Sequence, residues 1–244
     1  MTTIESLHRL VLSAALLFST VVALPVPAAE DDSPPPEFSE AETRMWLTNQ
    51  LAAIEAPMTL RYTFEKSGTL EPGFEDEIRL VVERINEDDS KAISLYFFTG
   101  ERRFPVPPVD STNVNLVLGK YLEGDVYEMN RLTDPNGTAR ERWRYFMRRI
   151  KFALSESATV EPRSFEFDGR QWNGYEVSFS PYVNDPHRDE FERLANKTYS
   201  VIVSDELPGY LYRIETRVPA EAEGENAAPL LREVLQLEAI ETAG

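Results

Sequence analysis

The chain has 244 residues and a net charge of −17, from 42 acidic against 25 basic side chains. That balance argues against a general nucleic-acid binder, which must replace phosphate counterions with its own cations. There is no cysteine, so thiol nucleophiles, disulfides and cysteine-ligated metals are excluded, and the length suffices for a domain with a sizeable core.

Residues 1–28 read as a secretory signal peptide. His8 and Arg9 precede the apolar run LVLSAALLFSTVVAL, and Val26, Pro27 and Ala28 form a small-residue cleavage region. The run is short for a membrane span and is followed by prolines and acids, not by a cluster of cations. The expectation is export, to a bacterial periplasm given the lack of cysteine, and no integral membrane protein once the leader is removed. Residues 29–38, with DDSPPPE at their centre, are expected to be a disordered tether. Residues 39–244 are expected to form a single domain.

Ser39 to Glu42 is a capping box that opens a helix expected to run to about Ile54, offering Met45, Leu47, Leu51 and Ile54 to a core. Met58 to Glu65 then alternates apolar and polar residues, as do Ile78 to Glu83 and Ala92 to Phe98, which predicts three meandering strands. Ala92, Ser94, Tyr96 and Phe98 make the second face of the third strand partly apolar, which predicts a central strand covered on both sides. Gly100 to Asp110 is expected to be a loop, with Arg102 and Arg103 followed by a proline-rich run. It reads either as a stiff connector or as a partner-binding lid.

Val114, Leu118, Leu122, Val126, Met129 and Leu132 recur at helical spacing and predict a helix over 113–132. After a turn at Asp134–Gly137, a second helix is expected over 138–154, with Trp143, Phe146, Met147, Ile150 and Leu154 facing the core. Arg140, Arg144, Arg148 and Lys151 form a basic stripe beside that face, and Arg142 and Arg149 lie further round. The stripe reads as a site for an anionic headgroup or an acidic partner. The structural reading, which is preferred here, is of long stems covering the core edge and pairing with the chain's own carboxylates. Strands resume as a hairpin turning near Asp168, then at Thr198–Ser204, Tyr210–Val218 and Leu231–Ile240, with a short helix expected at Arg188–Leu194.

No βαβ rhythm appears, so the sheet should be antiparallel. The expected fold class is α+β: a large curved, half-barrel-like antiparallel sheet with an N-terminal helix and a mid-chain helical pair packed on one face. This order of elements, together with the strand-turn-strand from Ser204 through Pro208 and Gly209 to Ile214, resembles the lipoprotein-carrier half-barrels of the bacterial periplasm. The resemblance is architectural and spans most of the mature chain; it transfers no functional residues.

His187 is the sole histidine beyond the leader, so a multi-histidine metal site is excluded. No nucleophile elbow, P-loop or dinucleotide fingerprint is present, and no metal or cofactor is expected. The one catalytic candidate is the loop in which Asp185 would orient His187 as a general base of a hydrolase. The aromatic strand residues Tyr62, Phe64 and Tyr96 read either as core or as the wall of a cavity for an acyl chain. The leading expectation is an exported, non-enzymatic protein holding a lipid or other apolar small molecule, its anionic head met by Arg144, Arg148 and Lys151 with Arg102 and Arg103. A cell-envelope assembly protein with a packed core and a protein partner is the alternative, and the hydrolase is a third.

Overall fold

A computed structural model describes residues 37–134, 136, 142–220 and 227–242. The leader, most of the tether and Arg140 lie outside the described residues. Ser39 opens the domain as expected: its Oγ accepts from the Glu42 amide while the Glu42 carboxylate accepts from the Ser39 amide, both at 3.0 Å. The helix is shorter than its periodicity predicts. α1 (Glu40–Glu42) passes directly into a π-helical turn, Thr43–Leu47. The backbone then goes extended at Thr48, ψ 140°, and the Gln50 amide bonds the Asn113 carbonyl. Met45, Leu51 and Ile54 still reach the core, but Leu47 is left 52% exposed because the wider turn rotates it outward.

Nine strands follow: β1 (Met58–Ser67), β2 (Phe74–Ile85), β3 (Lys91–Phe97), β4 (Val109–Thr112), β5 (Thr159–Phe167), β6 (Arg170–Phe179), β7 (Thr198–Val203), β8 (Leu211–Val218) and β9 (Leu231–Thr242). Four helices accompany them: α1, α2 (Leu116–Thr133), α3 (Arg142–Glu156) and α4 (Arg188–Phe191). All strands pair antiparallel in one open sheet, ordered β4-β3-β2-β1-β9-β8-β7-β6-β5. Two meanders, one from each half of the chain, are thus joined by the first strand lying against the last. The architecture is the α+β half-barrel expected from the element order.

The inner face carries the core. Met58, Leu60, Tyr62 and Phe64 of β1, Ile78, Leu80 and Val82 of β2, and Leu231, Leu235 and Leu237 of β9 are all buried. α2 packs on β2, β3 and α3, and α1 rests on α3 and β5. The outer face is solvated and bears charge pairs, cross-strand for Arg61 with Glu77 and Glu241 and for Glu215 with Arg232, and along β8 for Glu215 with Arg213, the pattern of an antiparallel sheet covered on one side only. The edges are blunted in two ways: β4 is four residues long, and β5 presents Glu161, Pro162 and Arg163 to solvent.

Three expectations are corrected here. β3 is next to the edge and covered on one face, with Tyr96 exposed on the outer side beneath Arg79 and Arg103. The loop expected over 100–110 ends in strand β4, which pairs with β3. Val114 lies before the helix, 38% exposed, because Asn115 is the N-cap and α2 starts at Leu116. Asn115 also fastens three elements. Its side-chain amide donates to the Tyr62 hydroxyl at 3.0 Å and the Gly209 carbonyl at 2.7 Å, and its backbone N–H donates to the Gln50 side-chain oxygen at 2.8 Å. Gly209 sits at φ 83°, where a Cβ would meet the Leu60 side chain at 2.2 Å, so only glycine fits that turn.

Candidate functional site

One row of the inner face breaks the apolar pattern. The strand registers place Phe74, Lys66, Glu233, Thr216, Tyr199 and Phe179 side by side across β2, β1, β9, β8, β7 and β6. Above that row α2 presents Tyr121, Asp125 and Glu128, spaced by four and three residues and therefore on one helix face. Lys197, just before β7, is fully buried and pairs with Asp125.

These groups form one network. The Lys66 ammonium pairs with Glu128 and with Glu71 at 3.0 Å, and lies 3.9 Å from Glu233. Arg131 clasps Glu71 with two bonds of 2.7 Å and reaches Glu128 at 3.2 Å. Tyr199 donates to Asp125 at 2.6 Å, Tyr121 donates to Glu233 at 3.1 Å, and Thr216 lies beside Tyr121 at 3.2 Å. Glu233 also hydrogen-bonds Glu128.

The electrostatics assign the protons. The bidentate Arg131 bond holds Glu71 down to about 2, against a smaller opposing effect of burial. Burial alone would raise Glu128, but its bond from Glu233 and the Lys197 and Lys66 ammoniums hold it below the usual range. Glu233 is driven the other way: burial pushes it up to about 8, Lys197 opposes this, and the neighbouring Glu128 charge adds to it. Three cations, Lys66, Lys197 and Arg131, face four acids, Glu71, Asp125, Glu128 and Glu233. With Glu233 protonated the network, whose Arg131 end is exposed, is neutral, which lowers the cost of keeping its other members buried.

Beside this network is a cavity of about 210 Å³ between α2 and β1–β3. Its far wall is aromatic: the Phe64 ring lies 5.3 Å from Phe74 and 4.9 Å from Phe98, and Phe98 lies 4.7 Å from Phe97. Consecutive strand residues point to opposite faces, yet Phe97 and Phe98 are in ring contact. The cause is the backbone of Phe98, at φ 62°, a left-handed conformation costly for a bulky residue. Lys66, Asp125, Glu128, Glu233 and Tyr121 close the opposite side, and Gly124 leaves the helix wall open.

The residues singled out from sequence fall in different places. Phe64 lines this cavity. Tyr62 is wholly buried core, its hydroxyl spent on Asn115, and burial raises its pKa well above the usual phenol range. Tyr96 is on the other face of the sheet. Arg102 stacks over Phe74 at 4.4 Å, at the rim of the aromatic wall, while Arg103 stacks over Tyr96. Arg144, Arg148 and Lys151 are exposed on α3 and touch no part of the cavity. The two residues read as lying further round pair as well, Arg142 with Glu190 and Arg149 with the buried Asp185 at 2.7 Å. Asp185 is buried and does not orient the His187 ring. Its carboxylate accepts from Tyr145 and from the His187 backbone amide, while the ring Nδ1 meets Glu190 at 3.0 Å.

Lys66, Asp125, Glu233 and Lys197 went unread in the sequence. A signal was there: Lys66 continues the apolar phase of Met58, Leu60, Tyr62 and Phe64, and Glu233 falls in phase with Leu231, Leu235 and Leu237.

No family model matches the sequence, and no curated protein matches it. Among solved structures the chain is similar to Mycobacterium tuberculosis lipoprotein LppX at 10% identity and TM-score 0.34, over 84% of this chain and 98% of that one. It is similar to LprF from Mycobacterium bovis at 9% identity and TM-score 0.31, over 86% and 97%. It is similar also to a LolA-superfamily protein from Nitrosomonas europaea at 7% identity and TM-score 0.22, over 84% and 94%.

Proposed function

We propose that this chain is an exported, non-enzymatic binding protein that holds an amphipathic small molecule between α2 and strands β1–β3. One observation carries the reading: a wall of phenylalanines faces a buried network of ion pairs across a cavity. Buried ion pairs are a poor way to gain stability, since desolvation offsets most of their attraction. A strained Phe98 adds a further cost that a plain core would not need. Both make sense where an apolar segment and a polar end are received together. The cavity holds the volume of about seven waters, so it takes a small molecule or one end of a longer one. Phe74 and Phe98 are only half-buried, which leaves the aromatic side open to the remainder. Export is supported by the leader-like residues 1–28, and a bacterial periplasm suits a cysteine-free chain; no helix among the described residues is long and apolar enough to cross a membrane.

The test uses Gly124. A Cβ placed there meets nothing within 4 Å, so Gly124→Leu is expected to add apolar bulk at the helix wall of the cavity without a backbone clash. Native mass spectrometry with organic extraction of the protein from exporting cells should find a retained amphiphile in the parent and none in Gly124→Leu. Equal retention in both would remove the cavity from the reading.

A protein partner in the cell envelope is the second reading, favoured by the exposure of Arg144, Arg148 and Lys151 beside Phe152, itself 53% exposed. Replacing the three cations with Gln should leave stability within about 0.5 kcal/mol, as for other surface changes. Loss of a co-purifying acidic protein would establish the surface; unchanged retention would end this role for the stripe.

A further inference from the structure

We propose that the end of the ligand received by the ionic side of the cavity is a cation, a primary ammonium of an amphiphile, which enters in exchange for the proton of Glu233. The inference rests on the amphiphile-binding reading above and adds the sign of the charge.

The argument is one of balance. From the sheet, Lys66 of β1 and Glu233 of β9 face the cavity, with the neutral Thr216 and Tyr199 beside them; from α2 come Tyr121, Asp125 and Glu128. Behind them stand Lys197, Glu71 and Arg131. With Glu233 protonated, three cations meet three anions. An incoming carboxylate or phosphate would leave the buried site one negative charge in excess, beside three carboxyl groups and the negative faces of the phenylalanine rings. The three cations are already taken: Lys66 by Glu71 and Glu128, Lys197 by Asp125, Arg131 by Glu71. An incoming ammonium, by contrast, restores neutrality once Glu233 releases its proton to solvent, giving four cations and four anions. The Phe64, Phe74 and Phe98 rings supply cation–π stabilisation along the way. The Arg102 guanidinium over Phe74 shows that this wall already accepts a cation at its rim. No bond other than the O–H of Glu233 is broken.

The exchange predicts linkage. One proton leaves for each cation bound, so affinity should rise about tenfold per pH unit on approach to the Glu233 titration and level off above it. Burial places that titration near 8, and an alkylammonium remains charged throughout, since its own value is about 10.4 like that of lysine.

Titration calorimetry of the full protein with n-octylammonium chloride, sodium octanoate and 1-octanol tests this, in two buffers of different ionisation heat at pH 6, 7, 8 and 9. Octylammonium should bind with release of up to one proton at pH 7 and fewer at pH 9. Octanoate should bind at least about tenfold more weakly. Glu233→Gln keeps an amide donor toward Glu128 and should bind octylammonium about tenfold more weakly with no proton release, while Gly124→Leu should abolish binding of all three. Octanoate or octanol binding as tightly as octylammonium, in a manner blocked by Gly124→Leu, would overturn the cation and leave the amphiphile cavity standing. Octylammonium binding without proton release, or unchanged in Glu233→Gln, would overturn the exchange. No binding by any of the three would overturn the inference, and equal retention of a native amphiphile by the parent and Gly124→Leu would remove the cavity reading with it.

Discussion

Glu233 stands opposite Lys66 on one side and Thr216 on the other, at a position where the phase of β9 calls for an apolar residue. Its raised titration has a measurable consequence for the free protein. In the unfolded chain Glu233 ionises near 4.5, whereas in the fold burial delays this to about 8. Between those values the folded state binds more protons than the unfolded state, so stability falls as pH rises from 4.5 to 8, by at most about 1.4 kcal/mol per unit for one proton. Glu71 works in the opposite sense: its stabilisation, from Arg131 and Lys66, is present above 4.5 and is lost as pH falls toward about 2. Urea denaturation from pH 5 to 8 should show the decline in the parent and a flatter line in Glu233→Gln; parallel lines would refute the assignment of the proton. At this scale the sequence was half readable. Strand alternation put Phe64 on the inner face and left core and cavity wall open between them. Lys66, Asp125, Lys197 and Glu233 were not, because a charged side chain in an apolar phase carries no label until its counterion, 72 residues away for Lys197 and Asp125, is brought beside it.

Among the elements, α2 is the one that makes the site, and it does so at some cost to itself. Gly119 and Gly124 lie inside it with open space beside them, and a glycine in a helix interior costs about 1 kcal/mol against a good helix former. Gly124→Leu is therefore expected to raise stability by about 1 kcal/mol in urea denaturation while closing the cavity. Destabilisation would mean that the helix needs the glycine for packing and not for room. The apolar period of α2 and α3 was legible, since Leu118, Leu122, Val126, Met129, Phe146, Ile150 and Leu154 are all buried. The break of the first helix was not, because a π-helical turn keeps the residue types of an α-helix and changes only their phase. Nor was the inward turn of Phe98, which depends on one backbone angle that no propensity reports.

At the level of the whole molecule, the sheet is closed in its middle by β1 and β9, which pair over ten positions of β1. Removing residues 231–244 would take out a central strand, expose β1 and β8, and delete Glu233. Such a variant is expected to lose its cooperative unfolding transition by circular dichroism, where loss of the four-residue edge strand β4 would be tolerated far better. A retained sharp transition would show that one meander folds alone. The antiparallel α+β class was legible from hairpin turns such as Asp168 and Gly169, both at positive φ. The strand order was not, because alternation tells which face a strand buries and is silent on which distant strand lies beside it.

That closing pair also sets a clock. Ribosomes deliver chains from the N-terminus, so β1 is made early and waits with one ladder of amide and carbonyl groups unanswered until the final dozen residues of the domain emerge. During that interval the helices, the aromatic wall and three of the four acids exist, and Lys66 has Phe74 of β2 across from it, but its β9 neighbour Glu233 is still to come. The ionic side of the cavity takes Glu233 from β9, so it is completed only after the other eight strands have been made.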